Sequence, residues 1–196
     1  MAPRIASAKA PYPAAVQTRL DRLMGGRPPL QLFQVLARDE RLFTRFMDGG
    51  LLDPGHLTLR QRELAILRVC ALCRSEYEWG AHVAIFAEQA GLSEAEVSAT
   101  LRPSGEHPWP EPDRLVLALC EQLQDSCEVP EDSWSELRQS LGEMTLLELL
   151  LLIGKYRQVC ILTNALRLDL EPQAARFPPH TRTPPCPGPL PQTPVR

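Results

Sequence analysis

The segment CRSEYEWGAH, residues 73–82, sets a thiol, a hydroxyl, carboxylates and an imidazole within ten positions. If Glu78 and His82 share a helix, their i,i+4 spacing puts them one turn apart on the same face, where they can share a proton. Tyr77 and Trp79 flank them as a partly apolar wall, a setting in which the proton affinities of a carboxylate and an imidazole become tunable. The same spacing also fits a plain helix start, with Ser75 and Glu78 as a capping box and His82 half exposed. Just upstream, Cys70-Ala71-Leu72-Cys73 has the spacing of a redox dithiol. By the capping pattern, however, this pair closes a helix rather than opening one, and there the helix dipole disfavours a thiolate.

Other chemistries find little to work with. His56, His107 and His180 fall in loops or the tail, and one Glu-x-x-x-His pair supplies only two of the three or four ligands a metal site needs. Neither a G-x-S-x-G elbow nor a glycine-rich phosphate loop followed by lysine is present. The formal charge of −3 and the lack of Lys/Arg runs argue against nucleic acid as a partner. The longest apolar run, Leu146 to Ile153, is interrupted by Glu148 and falls short of the roughly 20 residues of a membrane span. The start shows no continuous apolar block of a secretory signal, so a soluble, cytoplasmic protein without a membrane partner is expected. Six cysteines, at 70, 73, 120, 127, 160 and 186, are spread mostly through apolar helical patterns and read as reduced thiols rather than a disulfide framework.

The elements that must position these residues are helices. A chain of 196 residues, 44% hydrophobic, supports one core, and no strand-like alternation or hairpin signal is found. The pattern predicts helices over 14–24, about 30–48, 59–73, 75 to about 90, a short one after Ser93, then about 112–126, 131–141 and 145–168. Capping boxes are expected at Thr58-Gln61, Ser75-Glu78, Ser93-Glu96 and Thr145-Glu148. The last helix is apolar around most of its circumference and must lie at the centre of the fold or in a subunit interface. Residues 1–13 are expected to be flexible, 14–176 to form one all-α domain, and 177–196 to be a disordered proline-rich tail.

The stretches LTLRQRELAILRVCALCRSEYEWGAHVAIFAEQAGLSEAEV and LLELLLLIGKYRQVCILTNALRLDLEP resemble the carboxymuconolactone decarboxylase family, of the same superfamily as the alkylhydroperoxidase AhpD, over about residues 28–173. The resemblance implies an all-α, AhpD-like helical fold and a homo-oligomer, commonly a dimer, trimer or hexamer. In the AhpD branch the site is a glutamate, two cysteines three apart and a histidine four beyond the second. Aligned on His82, this puts the glutamate at Glu63 and the two thiol positions at Ser75 and Glu78. A serine cannot form the sulfenate and disulfide of a peroxidatic cycle, so peroxiredoxin activity is disfavoured, and Cys70 and Cys73 do not inherit the role.

What remains resembles the decarboxylase-like branch: a lyase, without cofactor, in which His82 handles a proton and Glu63 and Glu78 orient it and raise its pKa. Its partner would be a small lactone or carboxylic acid. Ser75, Tyr77, Trp79, Tyr156 and Asn164 are the expected pocket residues, and Arg68, Arg74 or Arg157 the expected anchor for a substrate carboxylate. A thiol peroxidase using displaced cysteines and a non-enzymatic oligomeric binding protein are the alternatives.

Overall fold

The computed structural model describes residues 3–179, and among these the regular structure is entirely helical. In chain order the helices are α1 (Ala14–Met24), α2 (Gln31–Leu36), α3 (Glu40–Asp48), α4 (Leu59–Leu72), α5 (Glu76–Phe86), α6 (Glu94–Ala99), α7 (Glu111–Asp125), α8 (Glu131–Leu141) and α9 (Glu143–Leu166). Most of the proline-rich tail lies outside the described residues.

Side-chain capping fixes three of the described helix starts. Thr58 and Ser93 each form a complete capping box, with Gln61 and Glu96. The expected helix over 30–48 is instead two. Its second half restarts at Asp39, whose carboxylate accepts the Leu42 N–H at 2.8 Å and caps α3. The expected box at Thr145 is absent, because α9 begins earlier, at Glu143 after the positive-φ Gly142.

Helix α4 packs against α5, α7 and α9. Every residue from Glu63 to Cys70 is buried, so α4, not α9, is the element enclosed through its circumference. Helix α9 buries Leu146, Leu149, Leu152, Ile153, Tyr156, Val159, Cys160 and Thr163 and leaves Met144, Leu147, Leu151 and Ile161 exposed on its other side.

After α9 the chain folds back over α5. The Ala175 N–H donates to Gly80 O at 3.1 Å, and the Phe177 ring meets Trp79 edge-on at 5.2 Å. A Cβ on Gly80 would lie 2.2 Å from the Ala175 carbonyl oxygen, so only glycine admits this crossing. Gly80→Ala should therefore destabilise the protein by about 1–3 kcal/mol, the usual range for overpacking. Thermal melting checks this, and an unchanged Tm would show that the crossing is not maintained in solution.

Candidate active site

Helix α4 supplies Glu63, α5 supplies Glu78 and His82, and α9 supplies Tyr156. His82 Nδ1 lies 2.7 Å from Glu63 Oε2, while Nε2 lies 3.1 Å from the Tyr156 hydroxyl and 3.4 Å from Glu78 Oε1. All four side chains are buried. Glu63 is held in turn by Arg62, whose Nε donates to Glu63 Oε1 at 2.9 Å and whose Nη1 donates to Leu52 O at 2.8 Å. The Arg62 guanidinium also sits over the Phe86 ring, 5.3 Å from its centroid.

This geometry gives the two ring nitrogens different tasks. A carboxylate can only accept, so Nδ1 carries a proton to Glu63 in both charge states of the ring. The mobile proton is therefore on Nε2. Burial works against the imidazolium, but the hydrogen bonds that its ring N–H groups donate to Glu63 and Glu78 outweigh it and the His82 pKa is pushed up to about 9. Burial, then the charges of Glu78 and Glu63, drive the Tyr156 pKa well above its ordinary value, so its phenol stays a neutral donor.

Beside this chain lies a cavity of about 110 Å³. Glu78, His82 and Tyr156 line it, and α1–α3 with the segments joining and following them roof it through Met24, Phe33, Phe46 and Leu52 among others. Lys155 also borders it. Its ammonium lies over the Phe46 ring at 3.7 Å and donates to Phe46 O at 2.6 Å.

Of the expected pocket residues, Tyr156 alone lines this cavity. The Ser75 hydroxyl makes no helix cap and pairs with Thr163 Oγ1 at 2.8 Å. Tyr77 is tied by its hydroxyl to Glu171 at 2.5 Å, Trp79 Nε1 donates to Thr100 at 3.0 Å, and exposed Asn164 donates to Cys73 O at 2.9 Å. None of the three arginines suggested as anchors borders it: Arg68 pairs with Glu121 at 2.8 Å, Arg157 donates to Leu123 O at 3.0 Å, and Arg74 is exposed beyond α4. Arg62 and Lys155 were missed, although each carried a signal. Arg62 adjoins Glu63, and Lys155 is the first cation in a long apolar helix.

The thiols form a separate group. Cys70 and Cys160 face each other with sulfurs 3.8 Å apart. Burial pushes the Cys70 thiol up, and hydrogen bonding within the group, then burial, raises Cys73, so neither is poised as a thiolate. Among the described residues, no group of three or more His, Cys, Asp or Glu side chains is arranged to hold a metal, and no helix is long and apolar enough to cross a membrane.

Residues 40–106 match the model of the carboxymuconolactone decarboxylase family. No curated protein matches the sequence. Two solved structures share the fold. One, an uncharacterized peroxidase-related protein from a Silicibacter species, is 15% identical with a TM-score of 0.76, covering 91% of this chain and 99% of its own. The other, described as an alkylhydroperoxidase AhpD core from Ralstonia eutropha, is 16% identical with a TM-score of 0.74, covering 87% and 93%.

Proposed function

From the match of residues 40–106 to the carboxymuconolactone decarboxylase family and from the AhpD-like helical fold of the chain, we propose that it is an acid–base enzyme moving a proton at a carbon next to a carbonyl, with decarboxylation of a small lactone or carboxylic acid as the reaction. The observation that carries this reading is His82, locked through Nδ1 to Glu63 and facing the cavity beside Tyr156.

In the decarboxylation, the C–C bond to the carboxylate breaks and CO₂ leaves. The electron pair stays on the substrate as an enolate spread onto the carbonyl oxygen, to which the neutral Tyr156 phenol donates. The Nε2 proton then passes to carbon, leaving a neutral imidazole still held by Glu63, and solvent restores the proton. The test follows CO₂ release and solvent deuterium incorporation over γ-carboxymuconolactone and lactones or keto acids bearing a single carboxylate. Turnover of at least one that depends on His82 is expected; none on any would overturn the reading.

A second reading rests on the facing sulfurs of Cys70 and Cys160: a thiol peroxidase with displaced cysteines. Hydroperoxide reduction with a dithiol reductant that is lost in Cys70→Ser/Cys160→Ser would favour it over the first.

We further propose that the molecule is a homo-oligomer joined through α9. The exposed Met144, Leu147 and Leu151 follow the three- and four-residue spacing of a helix seam, and Ile161, ten residues further on, falls on the same face. Sedimentation should give a mass at least twice that of the chain, and a monomer at micromolar concentration would sink this expectation.

A further inference from the structure

The proposed chemistry leaves open what the cavity selects, and its walls bear on that. Phe33, Phe46, Phe86, Met24, Leu52 and Ile85 make it largely apolar. At about 110 Å³ it is of the order of the ~150 Å³ apolar cavity that accommodates benzene. It suits a molecule with one compact ring.

Charge narrows the class further. The positive charge of protonated His82 is flanked by the carboxylates of Glu63 and Glu78 and is already balanced. Glu78 itself borders the cavity, so an anionic substituent next to His82 meets repulsion as well as desolvation. Lys155 differs. It is half buried, and no ion pair among the described residues includes it. Its contacts, the Phe46 carbonyl and ring, orient the ammonium without cancelling its charge. The other cation on the wall, Arg27, is exposed and therefore screened by solvent.

Resting on the reading of Glu63, His82 and Tyr156 as a proton-transfer site, we propose that the cavity binds a single-ring monoanion whose one carboxylate pairs with Lys155 while its hydrocarbon body lies among Phe33, Phe46 and Phe86. A molecule carrying two carboxylates, such as the lactone that gives the family its name, finds one half-buried uncompensated cation here, and its second carboxylate must approach Glu78 or remain in solvent.

Calorimetric titration of the full chain with benzoate, benzyl alcohol and isophthalate tests this by binding alone. Benzoate should bind at least tenfold tighter than either of the others. Lys155→Met should lose about tenfold for benzoate and change benzyl alcohol less than twofold. Lys155→Gln, which keeps a donor for the Phe46 carbonyl but no charge, should behave the same and covers the case in which the methionine variant does not fold.

Equal affinity for benzoate and the alcohol, a preference for isophthalate, undiminished benzoate binding in Lys155→Gln, or no binding by the wild type would each overturn the proposal. Turnover is not read in this experiment. Failure of the acid–base reading would show instead as the absence of His82-dependent reaction, with the benzoate preference intact.

Discussion

Replacement of His82 by glutamine should lower turnover by about 10²–10⁴-fold, the usual worth of a positioned general acid, while leaving assembly unchanged. Glutamine retains an amide donor for Glu63, from which Nδ1 of the native ring lies 2.7 Å, but it has no proton to give to carbon. The Tyr156 phenol is no substitute, because burial and the neighbouring carboxylates hold its proton tightly. The loss should fall on kcat more than on KM, since the transferred proton is needed in the transition state rather than for binding. Steady-state kinetics on whichever compound the wild type turns over provides the measurement, with sedimentation as the control for assembly. Activity retained within tenfold would remove His82 from the chemistry.

The second large effect concerns stability and pH. Folded His82 keeps its proton up to about pH 9, whereas an unfolded histidine releases it near pH ~6.5. Between these values the native state binds a proton that the unfolded chain does not. The stabilisation from the ring's carboxylate partners is thus fully present below about pH 6.5 and drains away as pH rises through about 9. The gap corresponds to stabilisation on the order of 3 kcal/mol.

Glu63→Gln removes the closest carboxylate from the ring and leaves Arg62 without its partner. The variant should be less stable than wild type by about 3–5 kcal/mol at neutral pH, the cost of breaking a buried ion pair. Its stability should also depend much less on pH between 6.5 and 9, because His82 then titrates closer to its unfolded value. Denaturant midpoints measured from pH 6 to pH 10 give both quantities. Equal slopes in wild type and variant would mean that Glu63 does not set the proton affinity of His82.

How much of this was legible depended on how far away each residue's partner lies. Thr58 and Ser93 find theirs three residues along the chain, and both capping boxes formed as spacing predicts. Ser75 has the same local pattern, but Thr163, distant in sequence, claims its hydroxyl. Tertiary pairing overrides local propensity there. The break between α2 and α3 was readable in principle, since Asp39 is a good N-cap, but the apolar spacing runs on through it.

At the site, the i,i+4 relation of Glu78 and His82 is local and could be read directly. The approach of Glu63 from α4 came only through family resemblance, because no periodicity links two helices. Anchors suggested by sequence neighbourhood fared worst. Arg68 turned to Glu121 on α7, while the cation on the cavity, Lys155, takes its contacts from Phe46 on α3. Nothing in its own helix announces that direction.

The origin of the cavity walls separates two properties of the molecule. Glu63, Glu78 and His82 fall within residues 40–106, the family-matched stretch, whereas Met24, Phe33, Lys155 and Tyr156 fall outside it. Tyr156 aside, the hydrogen-bonded group around His82 is thus encoded apart from much of the rest of the cavity wall. On the proposed acid–base reading, exchanging α1 and α2 for those of another chain of this fold would re-address the site to a different molecule while leaving Glu63, Glu78 and His82 in place.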